Sequence, residues 1–272
     1  MILDGHIHIG EGTPEPEVLA ERMTAAGIDG GLLISQAPAS FSGTLVTAPP
    51  AARLENLLAW ASAGALCYPA YWIDPTETDA LDQVDLALSR GVVAFKVICD
   101  HFYPGDVRAL NTFRAITEAG KPVFFHSGIL WDGKPSSNYS RPANFEALLQ
   151  VRGMRFSLAH ISWPWVDECI AVYGKLNAAK RRAGAEIEMF IDTTPGTPPI
   201  YRREALTKVY TVGYDVAGNV FFGSDGHANS YNGAYARQWI ERDKGILADL
   251  DLDTGAPEKL FAHNLQRFLG VM

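Results

Sequence analysis

The chain is poor in the features that mark secreted, membrane-bound or nucleic-acid-binding proteins. Its 272 residues hold three cysteines, at 67, 99 and 169, with no C-x-x-C. So sparse and odd a set fits reduced thiols in a cytosolic protein better than a disulfide framework. No run approaches 18 uninterrupted apolar residues, so no membrane span is expected. The N-terminus has no basic region and His6 interrupts the first apolar run, which argues against a signal peptide and for a cytoplasmic protein. Positive charge is short as well, with 23 Lys and Arg against 31 Asp and Glu and a net −8. An acidic surface of this kind attracts neither nucleic acid nor an anionic membrane. The basic cluster Lys180-Arg181-Arg182 reads as a solvated helix end. Low-complexity linkers and charge runs are also missing, which leaves one domain over residues 1–272.

What the chain does have is alternation. Short apolar runs at Ile2–Ile9, Gly30–Ser35, Leu66–Ile73, Val92–Ile98, Val123–His126, Arg155–His160, Glu188–Asp192 and Asn219–Gly223 read as strands. Segments with three- and four-residue apolar spacing follow them at Glu15–Ala26, Ala51–Ala63, Thr76–Arg90, Val107–Ala119, Ala143–Val151, Trp165–Ala183, Tyr201–Val212 and Asn232–Ile246. A further helix is expected from about Glu258 to Leu269. Eight strand–helix units in this length predict a (β/α)₈ TIM barrel with an extra C-terminal helix. A doubly wound open sheet is the alternative, but no G-x-G-x-x-G follows the first strand.

In such a barrel the reactive groups gather where the strands end. The opening D-G-H-I-H places His6 and His8 two residues apart, hence on one face of strand one, where two imidazoles can share a metal ion. Alone the pair is a weak signal. Strand four carries Lys96 among apolar neighbours, strands five and six end in His126 and His160, and strands seven and eight end in Asp192 and Asp225. Singly each has an ordinary explanation, as a hydrogen-bonded histidine, a helix cap or a snorkelling lysine. Four of the seven histidines fall at strand C-termini, and together the set points to a metal site.

An H-x-H on strand one, Lys on strand four, His on strands five and six and Asp on strand eight resembles the amidohydrolase superfamily of metal-dependent hydrolases. The phrases LAHISWPW, FFGSDG and HNLQRFLG are similar to segments of its branch of small "amidohydrolase 2" TIM barrels, which holds aromatic-acid decarboxylases alongside hydrolases and lactonases. The resemblance spans essentially the whole chain. It implies that His6, His8, His126 and Asp225 hold one divalent metal, with His160 and Lys96 joining if there are two. Imidazole and carboxylate donors suit Zn²⁺ and tolerate Mn²⁺, Fe²⁺ or Co²⁺. By the same resemblance Asp225 doubles as the base toward an attacking water, and His160 orients that water or polarises a carbonyl. Lys96 is either carboxylated between two metals or a plain ammonium toward substrate. The resemblance also suggests a homodimer.

Asp4 reads as a structural acceptor for a neighbouring ligand or for backbone, and Asp192 as either a partner of a ligand or a cap. His101 and His263 read as structural. His227 follows Asp225 closely enough to meet substrate. The loops after strands five to seven supply Trp131, Lys134, Tyr139, Arg141, Trp163, Trp165, Tyr201, Arg202 and Arg203. Of these Trp163, Tyr139 and Arg202 are taken with His227 as substrate contacts, which suggests a small substrate bearing a carboxylate. Hydrolysis of an ester, lactone or cyclic amide is the leading expectation, and non-oxidative decarboxylation of an aromatic or unsaturated acid the alternative. A TatD-like nuclease also begins H-x-H, but that family has Glu on strand four where this chain has Lys96. A barrel that kept its shape and lost its chemistry fits poorly, because every ligand position is filled.

Overall fold

The computed structural model describes residues 1–41 and 48–271. Eight parallel strands run in sequence order around the sheet: β1 Leu3–His8, β2 Gly30–Ile34, β3 Cys67–Trp72, β4 Ala94–Val97, β5 Val123–Phe125, β6 Met154–Leu158, β7 Ile187–Asp192 and β8 Val220–Phe221. A two-residue strand β9, Gly226–His227, then pairs with β1. The last strand of the barrel is therefore split, its first part on β7 and its second on β1. The Gly5 amide donates to the Phe222 carbonyl at 2.9 Å and completes the closure. Asn219–Gly223 was expected as one strand; Asp225, with φ +57°, turns the chain between the two pieces.

The strands read as continuous apolar runs because both of their faces are buried. Leu32, Ile34, Ala70, Trp72, Ala94, Phe124, Phe190 and Phe221 pack inside the barrel, whereas Leu33, Tyr71, Phe95, Val97, Phe125, Phe156 and Ile191 pack under the helices. Those helices are α1 Pro16–Ala25, α2 Pro50–Ala61, α3 Ala80–Ser89, α4 Val107–Glu118, α5 Val166–Ala183, α6 Pro199–Thr211 and α7 Gly233–Asp249. Their ends follow local chemistry: Asp106 and Asn232 cap α4 and α7 by accepting the amides of Arg108 and Tyr235, and Gly184 ends α5 with φ +63°. α3 starts four residues later than expected, since Asp74 holds the amide and hydroxyl of Thr76 in a turn. Between β5 and β6 the expected helix is a 3₁₀ helix, Pro142–Gln150, whose Ala143 amide is taken by Glu168. No helix of the described residues is long and apolar enough to cross a membrane. The three cysteines are free and buried.

β1 carries a bulge. Asp4 pairs with Gly31 but Ile7 with Leu33, so one extra residue lies in β1 between them. Leu3 consequently packs inside and Ile7, four residues on, outside, which a regular strand would not allow. The C-terminal segment closes the barrel floor, with α8 Ala256–Glu258, a π turn at Lys259–His263, and α9 Asn264–Leu269 where one helix was expected. The π turn has an assignable cause. The Leu260 carbonyl accepts the Phe222 amide at 2.9 Å, while the Asn264 side chain donates to the carbonyls of Ala217 and Val220. Phe268 then packs its ring on Phe190 and Phe221, with centroids 5.1 and 5.3 Å away.

Phe268 is fully buried, so Phe268→Ala is expected to cost about 3–5 kcal/mol, read as a lowered midpoint in urea denaturation. Destabilisation below about 1 kcal/mol would show that the floor is not part of the core.

Candidate metal centre

At the C-terminal mouth of the barrel lies a cavity of about 650 Å³, into which His6, His8, Lys96, His126, His160 and Asp225 all face. The bulged β1 brings His6 and His8 together with their Nε2 atoms 3.1 Å apart. Asp225, from the left-handed turn after β8, places Oδ1 3.4 Å from Nε2 of His6 and 3.5 Å from Nε2 of His8. These spacings fit a shared cation. Ligands bound at roughly 2.0–2.1 Å in tetrahedral geometry stand about 3.3 Å from one another. His6 Nδ1, on the other side of the ring, lies 3.0 Å from Asp192 Oδ2.

His126 does not join that trio within mutual ligand reach. Its ring is held by a backbone hydrogen bond at Ile129, leaving Nε2 buried and without a partner among the described residues. His160 is held likewise at Thr194, with its buried Nδ1 unpartnered. The two rings are 4.9 Å apart. Strand alternation alone would aim His160 outward, since Leu158 packs outside and Ala159 inside. Instead His160, Ile161 and Ser162 have φ of +63°, +48° and +55°, a left-handed turn that swings the imidazole into the cavity. Such a run costs about 1–2 kcal/mol per residue, and β-branched Ile161 is an outlier there. Gly196 makes room for it: a Cβ at that position would sit 2.7 Å from His160 Cβ.

Burial dominates the electrostatics. It pushes His6 and His126 well below the usual imidazole range, with Lys96 adding to the effect, and His160 down to about 4. Burial lowers His8 also, opposed by its hydrogen bond to Asp225. The imidazoles are thus neutral, the form that binds metal. Burial alone would raise the Asp225 carboxyl, but His6 and His8 hold it well below the carboxylate range. Lys96, buried with Nζ 4.2 Å from the Phe124 ring centroid, is lowered to about 8 by desolvation, and Asp192 is raised to about 7 by the same cause.

Other expected residues fall as follows. Asp4 is a structural acceptor beneath the trio, bonded by the backbone amide of His6, the Ser224 amide and hydroxyl, and Tyr231. His227 and Trp163 line the cavity, and Trp131 stands at its rim 86% exposed. Arg202 does not contact substrate. It is fully buried between α6 and α7, with Nε and Nη2 donating to Asp243 at 2.8 and 2.5 Å, because a guanidinium under the helices needs a carboxylate to replace its water. Tyr139 is also outside the cavity lining; its ring packs on Tyr103, centroids 4.7 Å apart. His101 joins two loops, facing Asp100 at 2.6 Å and Asp74 at 3.3 Å, and His263 is exposed in the π turn. Sequence reasoning missed Phe41 and Trp72 in the cavity wall, since the ends of β2 and β3 bear no ligand-type residue, and it missed Ile98, just past the end of β4. The inward register of Trp72, two residues after Ala70, is the signal that could have found it.

A sequence model of the amidohydrolase family matches residues 3–271. The chain belongs to the amidohydrolase family. It is accordingly an enzyme of a metal-dependent class, with the family's TIM barrel. Solved structures of similar fold include 5-carboxyvanillate decarboxylase from Novosphingobium aromaticivorans, bound to manganese and 4-hydroxy-3-methoxy-5-nitrobenzoic acid, at TM-score 0.62 and 12% identity over 92% of this chain and 78% of that one. Dihydroorotase from Campylobacter jejuni gives TM-score 0.64 and 11% identity over 100% and 83%. An amidohydrolase 2 protein from Bifidobacterium longum subsp. infantis gives 0.58 and 15% over 100% and 99%. No curated protein matches the amidohydrolase at the sequence level.

Because His160 is neutral when folded down to about pH 4 but gains a proton below about 6.5 when unfolded, its contribution to stability is lost as pH falls through that window. Urea denaturation of the metal-free amidohydrolase at pH 7 and pH 4 is expected to show the wild type losing about 3 kcal/mol more than His160→Asn. Equal losses would place the ring in water.

Proposed function

We propose that this amidohydrolase is a metal-dependent hydrolase of a small-molecule ester, lactone or cyclic amide, acting in the cytoplasm as one catalytic unit spanning the chain. The observation that supports it best is the trio of His6, His8 and Asp225, three side chains of ligand type with their atoms within 3.5 Å of one another at the edge of an open cavity. One ion held by these side chains, with His126 facing the same space, suits neutral imidazoles and an ionised carboxylate. Zn²⁺ matches this donor set, with Mn²⁺, Fe²⁺ and Co²⁺ tolerated, and when bound it supplies Lewis acidity and acidifies water.

The side chains divide the remaining work. Asp225 stays ionised in the cavity and accepts the proton of the attacking water. His160, neutral and lining the cavity, orients that water. Lys96, under an apolar wall, offers its ammonium to a substrate anion. His227 and Trp163 flank the entry, and Trp72, Phe41 and Ile98 give the substrate body a dry surface.

A second reading, decarboxylation of an aromatic or unsaturated acid, is favoured by the same Lys96 set among aromatic walls. The ammonium would seat the carboxylate or protonate the carbon left behind when CO₂ departs.

Metal-loaded protein should be screened by pH-stat against esters, lactones and cyclic amides, and by CO₂ release against aromatic acids. Acid release without CO₂ is the expected result, and CO₂ release without hydrolysis would install the second reading. His6→Ala and Asp225→Asn are expected to abolish turnover and metal retention while keeping the wild-type circular dichroism spectrum. Near-wild-type turnover in either variant with metal depleted would overturn the assignment.

A further inference from the structure

Asp192 ends β7 facing His6, and neither of its oxygens is idle. The residue is fully buried. Oδ1 accepts the Thr194 amide at 2.7 Å and the Thr194 hydroxyl, so the carboxylate is fixed by its own turn. Oδ2 lies 3.0 Å from His6 Nδ1, and Thr194 Oγ1 lies 3.1 Å from the same nitrogen. The Thr194 hydroxyl spends its proton on Asp192, so toward His6 it too is an acceptor. Two acceptors on Nδ1 require the proton to be there, and an imidazole that carries its proton on Nδ1 has its lone pair on Nε2, the atom facing His8 and Asp225.

The neighbouring glycine supports the arrangement. A Cβ on Gly223 would lie 2.5 Å from Thr194 Oγ1 and 2.7 Å from His6 Cβ, so the chain leaves that place empty where β8 passes the pair.

We infer that Asp192, braced by Thr194, is the positioning residue that selects the metal-binding tautomer of His6. This inference rests on the metal reading of the cavity. Nothing equivalent serves His8, whose only hydrogen-bond contacts among the described residues run through Nε2. His6 is therefore the ligand set in advance, and His8 adapts to it. Asp192→Asn keeps the shape but offers an amide that donates as readily as it accepts. Its N–H can satisfy a bare Nδ1, moving the imidazole proton to Nε2 and blocking that ligand.

The test measures divalent metal affinity by competition with a chromophoric chelator, using Zn²⁺ and Mn²⁺ in turn, for the wild type, Asp192→Asn and Thr194→Val. Loss of affinity by 10- to 100-fold is expected for Asp192→Asn and a smaller loss for Thr194→Val. Nitrogen-15 NMR of the metal-free wild type should show His6 as the Nδ1–H tautomer, and Asp192→Asn should shift it toward Nε2–H, a signature that a merely structural role would not move. Affinity within twofold of wild type in Asp192→Asn, or an Nε2–H tautomer of His6 in the wild type, would overturn the inference. If Asp192→Asn does not fold, the wild-type tautomer and Thr194→Val decide it. A wild type that binds neither ion tightly would sink the metal reading instead, which is a separate outcome.

Discussion

The organising constraint of this molecule is that imidazole nitrogens and a carboxylate far apart in the chain are held within bonding reach of one another. His6 and Asp225 are 219 positions apart in the sequence and 3.4 Å apart in space. Nothing local brings them together, so the surrounding fold must enforce the contact. The unusual local features lie close to it: the bulge in β1, the left-handed Asp225 that splits the last strand, and the left-handed turn that carries His160. Each departs from regular backbone, and each re-aims a side chain toward the same cavity.

The rest of the barrel is ordinary, and it supplies the rigidity that these departures need. Apolar layers on both faces of the sheet leave no slack for the strands to shift, and the aromatic floor of Phe190, Phe221 and Phe268 supports them from below. Desolvation in this setting has two effects. It keeps the imidazoles neutral and ready to donate electron pairs, and it draws Lys96 and Asp192 toward titration near neutrality.

Much of this was legible in the sequence for a physical reason. A strand buried on both faces must be apolar, so polar residues at strand ends stand out, and His6, His8, Lys96, His126, His160 and Asp225 were found that way. What escaped was set by backbone geometry or by partners distant in sequence. Nothing around residues 3–8 announces the bulge, and nothing near Arg202 points to Asp243, 41 positions away, which removes that arginine from the cavity mouth. The split of the last strand depends on Asp225 adopting φ +57°, which an Asp-Gly pair permits but does not dictate. The role of Asp192 was undecided between cap and ligand partner because its two oxygens do different things.

The π turn near the C-terminus has a consequence for the eighth strand. The Leu260 carbonyl takes the amide of Phe222, three residues before the carboxylate that faces His6, and Asn264 grips the carbonyls of Ala217 and Val220. The same strand end is tied on its flanks to β7 and to Gly5 of β1, so the segment leading to Asp225 is gripped from three directions at once. Leu260 and Asn264, which do not line the cavity, thereby help to fix the height at which that carboxylate stands.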